Sequence, residues 1–484
     1  MMKEETSISH MVNLQANETW WIVKNVVVIS LAFMLHFTAY NGAANLQSSI
    51  NTEDGLGTAS LAAVYAGFIF SSLFLPVVVI KWFGTKWTIF LSFLTYMPYI
   101  ASQMKPTFYT MIPSGLIVGL GGGPLWCAKC TYLSVVSEAH SKISKISSEA
   151  LLTRFLGLFF MIFGMNQVWG NLISSLVLIS GDNTAAVTSV NASLIPELCG
   201  ANFLPAADAG EALQPQPPEK IQMIAGIYLA CMGAAALIVA VGVDSTDRYD
   251  SGRKSETSLS GLALLTVTLK LLMEPNQLLL VIISIFVGYQ QAFFSADITS
   301  AFVSCAIGTG SVGFVMMTYG IMTAMGCIMT GYLAKVTGRV PLMCAATVVH
   351  AALFVTILTW KPQADFNYVL YFIAVLWGLC DSIWVVLINA FFGILFPGRE
   401  EAAFAICHLW KAVGYIIAYI ISPYLRTSSK TYLMLAMMVV GVLGYFAAEV
   451  RNKRSRNTST TTKEMTLEKI TGKDCDNVGF QKDL

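Results

Sequence analysis

Three charged side chains, Lys129, Asp381 and Lys411, stand inside long stretches that otherwise carry almost no charge, and a fourth, Arg154, opens another such stretch. A lone charge at the centre of a membrane-spanning helix costs about 2.5–3.5 kcal/mol, so such a residue faces water, a partner or a ligand. Lys129 and Asp381 have opposite signs, and one reading is a direct pair across the molecule. The other has Lys129 reach back toward the inner face while Asp381 hydrogen-bonds Ser, Thr or backbone. With Lys411 they form a cavity charge cluster of net positive sign, able to hold an anionic group or lipid headgroup, or else to lock one conformation. Arg154 lies nearer a span end, where snorkelling explains it more readily than Lys411. His36, near Tyr40 and Asn41, is a candidate to titrate in the same cavity, because imidazole changes charge near neutral pH. The plainer role, for His36 as for His350 and His408, is a hydrogen-bonded packing residue.

The elements that must position these residues are membrane helices. Residues 25–52, 55–80, 87–104, 155–181, 221–243 and 340–360 contain no charged side chain. Each is long enough to cross about 30 Å of hydrocarbon at about 1.5 Å per residue. With 55% hydrophobic and 12% charged residues, against about 25% charged in ordinary globular chains, a water-soluble fold is excluded. A net charge of +1 gives no field suited to nucleic acid. The opening segment, with Glu4, Glu5 and Glu18, lacks the form of a signal peptide, so the first span is expected to serve as its own insertion signal.

Twelve spans are expected at about 25–50, 57–80, 87–104, 107–136, 149–180, 221–243, 276–297, 309–334, 340–360, 367–396, 402–425 and 431–449. With both termini cytoplasmic, the inner segments hold 22 of the 29 Lys and Arg residues and the outer loops five: Lys105, Lys220, Lys361, Arg426 and Lys430. That excess on one side supports this orientation. The organisation is then a cytoplasmic N-terminal segment 1–24, a six-helix bundle 25–243 with an outer loop 181–220, a cytoplasmic loop 244–275, a second bundle 276–449 and a cytoplasmic tail 450–484. The outer loop contains a glycosylation acceptor at Asn191. An apolar stretch at 259–273 is expected to lie along the inner membrane surface. The tail, basic at Arg451, Lys453, Arg454 and Arg456 and then rich in Ser and Thr, reads as disordered and anchored to anionic lipid.

Landmarks recur between the halves at offsets of 251 to 257 residues: Lys81 and Gly84 with Lys335 and Gly338, Trp126 with Trp377, Lys129 with Asp381, and Arg154 and Gly157 with Lys411 and Gly414. Two related six-span bundles follow, the parallel-repeat plan of the major facilitator superfamily. Gly331-x-x-x-Lys335-x-x-Gly338-Arg339 resembles that superfamily's loop signature.

Several motifs fail on context. Gly119-Leu120-Gly121-Gly122-Gly123 follows no strand, and Gly119 and Gly123 have the spacing of close helix packing. Cys127-x-x-Cys130 lacks a second ligand pair and reads as two core thiols. There is no metal motif, nucleophile elbow or phosphate loop, so neither an enzyme nor a cofactor is expected. Of ten cysteines only Cys199 and Cys305 fall in outer segments, where they are candidates for a disulfide.

More specifically, the chain resembles the unc-93 (uncoordinated-93) family. The residues that carry this are Phe37-Thr38-Ala39-Tyr40-Asn41-Gly42 and Asn45-Leu46-Gln47-Ser48-Ser49-Ile50-Asn51 in the first span. Leu125-Trp126-Cys127-Ala128-Lys129-Cys130-Thr131-Tyr132-Leu133 and Gln167-Val168-Trp169-Gly170-Asn171-Leu172-Ile173 are similar in the fourth and fifth. The most specific are Leu376-Trp377-Gly378-Leu379-Cys380-Asp381-Ser382-Ile383-Trp384, Glu401-Ala402-Ala403-Phe404-Ala405 and Leu409-Trp410-Lys411-Ala412-Val413-Gly414. The resemblance implies an accessory subunit of another integral membrane protein, first a potassium channel, or an escort that carries receptors through the secretory pathway. Transport of a small solute is the usual work of the wider superfamily. It also implies a second cysteine soon after Cys199, where this chain has Phe203-Leu204-Pro205. The expected setting is the plasma membrane, with endolysosomal membrane as the other choice; membrane lipids are partners and self-association is open.

Overall fold

A computed structural model describes residues 2–144, 146, 148–180, 195–213, 216–249, 273–363, 366–396 and 400–476. Twelve long helices lie in these segments. The first six are α1 Met2–Ala44, α2 Leu56–Phe74, α3 Pro76–Ser102, α4 Phe108–Ser144, α5 Ser148–Ile179 and α6 Pro218–Gly242. The second six are α7 Pro275–Phe293, α8 Val312–Thr337, α9 Arg339–Thr359, α10 Tyr368–Leu395, α11 Glu400–Ile421 and α12 Thr427–Asp476. Ten are long and apolar enough to cross a membrane; α11 has a shorter apolar part, Ile406–Ile421, and α3 is broken at Gly84.

Packing repeats after six helices. α1 packs on α5 and α6 as α7 packs on α11 and α12; α4 packs on α2 and α3 as α10 packs on α8 and α9. The halves meet through α2 with α11 and α5 with α8, which the same shift of six interchanges. This is the two-fold of a repeated six-helix unit, read from contacts alone. Gly84 and Gly338 repeat it in the backbone, at φ 71°, ψ 171° and φ 83°, ψ 171°, a region that side chains with a Cβ rarely enter.

Small residues set the closest crossings. A Cβ on Gly115 would lie 2.7 Å from the Ser60 carbonyl oxygen of α2, and one on Gly123 2.6 Å from the Ser72 nitrogen. The glycine stripe of α4 is therefore a packing seam. Gly288 of α7 and Gly414 of α11 likewise let backbone meet backbone, Gly288 against Lys411 itself.

Some boundaries differ from expectation. α7 continues through a π-helix, Phe294–Ser304, to Ile307, where the hydropathy reading stopped at 297. The hydroxyls of Thr299 and Ser300 bond back to carbonyls of Ser295 and Ala296, so a polar run stays helical in the interior. Lys430, counted as an outer-loop residue, is fully buried in the first turn of α12. α12 continues as helix to Asp476, through much of the tail expected to be disordered. Most of the expected surface stretch 259–273 lies outside the described residues.

We call the end of the bundle carrying Met2 and Asp476 proximal and the other end distal. Among the described residues, the ion pairs at the proximal end lie within each half. Lys24 lies 3.8 Å and Arg248 3.4 Å from Asp244, and Arg248 reaches Glu18 at 3.1 Å. The Glu18 hydrogen bond raises the Arg248 pKa. In the second half Arg339 meets Glu449 at 3.1 Å.

Candidate functional site

The site forms around a carboxylate. Asp381 of α10 is buried and accepts hydrogen bonds from Gln290 Nε2 at 2.5 Å, from Gln291 Nε2 at 2.8 and 3.0 Å, and from the Tyr319 hydroxyl at 2.8 Å. Both glutamines are fixed in turn: the Trp377 indole donates to Gln290 Oε1 and the Tyr415 hydroxyl to Gln291 Oε1, each at 2.6 Å. Consecutive residues on a helix point about 100° apart, yet Gln290 and Gln291 of α7 both reach the Asp381 carboxylate of α10. Both amide oxygens in this ring accept a hydrogen bond, and both amide nitrogens donate to the carboxylate. The Tyr415 ring stacks on Tyr65 of α2, centroids 4.2 Å apart, which joins the ring to the opposite half.

Lys129 and Asp381 do not form the direct pair considered from sequence. Lys129 is 2% exposed, and its Nζ sits over the rings of Trp126, Phe159 and Phe160 at 5.2, 4.6 and 5.0 Å. A cation over aromatic faces is stabilised by about 0.5–2 kcal/mol, more when desolvated. Lys411 interacts electrostatically with Asp381 but makes no ion pair within 4 Å with any described residue. His408 is exposed one turn before Lys411. Arg154 is exposed near the start of α5.

His36, Tyr40 and Asn41 do not share one polar cavity. His36 is buried and stacks flat on Phe93, centroids 4.0 Å apart, with both ring nitrogens lacking hydrogen-bond partners. Tyr40 joins the same aromatic group through Tyr96 at 5.1 Å. Asn41 instead donates to Asn166 of α5 at 2.6 Å, because five residues turn a helix through about 140° and place it on another face. Cys127 and Cys130, read as core thiols, are exposed. Asn191 lies outside the described residues.

A second buried ionic centre was not visible in the sequence. Lys430 and Asp297 form an ion pair with side-chain exposures of 0% and 2%. Ser422 Oγ donates to Asp297 at 2.7 Å, and Lys430 Nζ donates to the Ser422 carbonyl at 3.0 Å. Asp297 marks an apparent span end and Lys430 an apparent loop, so neither seemed intramembrane.

Above this pair the halves are clasped at the distal end. Cys199 is joined to Cys305 as a disulfide, Cα atoms 5.7 Å apart. Gly200 N donates to Ala301 O at 2.9 Å, Ala206 N to Pro423 O at 3.1 Å and Ser428 N to Ala201 O at 2.7 Å. Ser304 Oγ donates to Ser49 Oγ at 2.8 Å, directly between α7 and the segment after α1. Non-reducing peptide mapping should recover the Cys199 and Cys305 peptides as one species; two free thiols would contradict the clasp.

The family model described as "Ion channel regulatory protein UNC-93" matches residues 47–447. This chain belongs to the UNC-93 family. Protein unc-93 homolog A of Xenopus laevis is 36% identical over 452 residues, 91% of this chain and 97% of that protein. The putative potassium channel regulatory protein unc-93 of Caenorhabditis elegans is 31% identical over 435 residues, 88% of this chain and 61% of that protein. Among solved structures, the nucleoside transporter NupG superposes with a TM-score of 0.58 at 13% identity, covering 88% of this chain and 98% of NupG. The xylose transporter XylE of E. coli, inward open, gives 0.58 at 14%, covering 88% and 96%. At these identities the UNC-93 chain shares with the transporters their fold, the major facilitator arrangement of twelve helices in two pseudo-symmetric bundles. The UNC-93 family is a regulatory class of membrane protein, not a class of enzymes.

Proposed function

We propose that this chain is an accessory subunit that regulates another integral membrane protein, a potassium channel, from the plasma membrane. One observation inside the molecule supports this beside the family membership: the buried carboxylate of Asp381 has its hydrogen-bond positions filled. Coupled transport by an intramembrane acid requires it to exchange its partners for a proton or solute during the cycle. Asp381 has its oxygens filled by three side chains of its own half, and the second buried acid, Asp297, is paired with Lys430. Such centres hold geometry. Regulation then acts through surfaces that touch the channel within the lipid or beside it, with the buried network keeping those surfaces in register.

Transport of a small solute is the second reading, favoured by Lys129 and Lys411, which make no ion pair within 4 Å with a described residue. Escort of receptors through the secretory pathway is the third. Co-isolation separates the first from the second. Tagged chain co-expressed with potassium channels and extracted in mild detergent should retain a channel. It should lose none of it when Lys129 or Lys411 is neutralised. Retention of no channel, together with solute uptake that disappears in the same two variants, would replace regulation by transport.

A further inference from the structure

We propose that residues 195–213 are a strap that locks the distal end of the bundle shut, so that the two halves cannot part there while the Cys199–Cys305 disulfide stands. The inference concerns this one end of the molecule and stands or falls separately from which partner the chain regulates.

The strap belongs to one half and is fastened to the other. In sequence it lies between α5 and α6, and its base is tied there by Lys220 Nζ, which donates to the Leu178 carbonyl at 2.6 Å. Its short helix, Pro205–Ala212, packs on the Glu53–Gly55 turn of the same half. The seat is made by three pieces of the second half. The extension of α7 supplies Cys305 and the Ala301 carbonyl. The segment after α9 supplies Pro362, so close that a Cβ on Gly200 would lie 2.8 Å from its Cδ. The α11–α12 turn supplies the rest: Thr427 N donates to Phe203 O at 3.1 Å and Arg426 Nη1 to Asn202 O at 2.6 Å. Phe203 is wholly buried in this seat. Lys430 fixes the turn from below, since its Nζ bonds both Asp297 of the α7 extension and the Ser422 carbonyl at the end of α11.

Under the strap the halves touch directly. The Ser48 and Thr299 hydroxyls lie 3.2 Å apart, and Ser304, the neighbour of Cys305, donates to Ser49. In this fold, opening at one end is a rocking of one bundle against the other. Distal opening must therefore draw Ser48 and Ser49 away from Thr299 and Ser304. Each hydroxyl contact is worth only about 0.5–1.5 kcal/mol and would yield. The covalent bond, one residue from Ser304, does not. Nor can the strap travel far with the second half, because only four residues, 214–217, join it to α6, and a chain spans at most about 3.3–3.6 Å per residue.

The test is labelling of Thr299→Cys by a hydrophilic maleimide in the purified full-length protein, with the labelled residues located by peptide mapping. Thr299 is wholly buried, so with the disulfide intact the new thiol should be unreactive. Cutting the disulfide should raise its labelling rate at least tenfold. The cut is made in two ways: by Cys199→Ser with Cys305→Ser, and by a soluble phosphine that is then removed, which requires neither serine variant to fold. Lys105→Cys, exposed at the distal end, should label within twofold of the same rate before and after the cut. Cys380 and Cys407, buried within the second half, should stay unlabelled throughout. Rapid labelling of Thr299→Cys with the disulfide intact would overturn the proposal, because the end would be opening in spite of the strap. So would protection that survives both cuts. Labelling that spreads to Cys380 and Cys407 would also overturn it, by making the bond a general support of the fold and not a lock on one end.

Discussion

Replacing Lys430 with methionine is expected to destabilise the protein by about 3–5 kcal/mol, because it leaves Asp297 as an uncompensated charge in the interior. The lost attraction is the smaller part. Desolvation of both ions has already been met by their mutual contact and by Ser422, and removing one partner exposes the full cost of the other. The double replacement Asp297→Leu with Lys430→Met should therefore recover most of the loss, despite removing more native contacts. Unfolding temperatures of the two single variants and the double variant in one detergent test this. Losses that simply add would show that the pair does not act as a unit.

The second large effect is expected at Asp381. Asp381→Ala strands the amide donors of Gln290 and Gln291 and the hydroxyl of Tyr319, each worth about 1–3 kcal/mol when buried without a partner. The loss should be about 3 kcal/mol or more. It should extend to the α7–α11 contact, since Gln291 also anchors Tyr415. Lys129→Gln should cost far less, because its ring contacts are individually weak. Thermal unfolding of the two variants side by side gives the comparison. A larger loss at Lys129 would make the cationic side, not the carboxylate ring, the structural centre.

The spans, the repeat and the charged positions Lys129, Asp381 and Lys411 were legible because charge in lipid is rare and spacing survives divergence. Their partners were not. Equal offsets place Lys129 and Asp381 at related points of the two halves. A two-fold brings related points into contact only near its axis, so each residue found neighbours in its own bundle. Gln290 and Gln291 carry no charge and escaped a search for charge, although adjacent glutamines in an apolar span are themselves costly unless bonded. Asp297 and Lys430 were hidden by boundaries drawn from hydropathy, which places polar residues at ends whether or not the fold buries them. His36 was grouped with Asn41 as a cavity candidate by proximity in sequence, where helical angle separates them.

The most direct test of regulation is whole-cell potassium current recorded with and without this chain, at channel surface levels measured in the same cells. If the chain is an accessory subunit, current per channel or the number of channels at the surface should change reproducibly, and the change should persist in Lys105→Gln. Identical current density and identical surface number, in cells where the chain itself reaches the membrane, would contradict it.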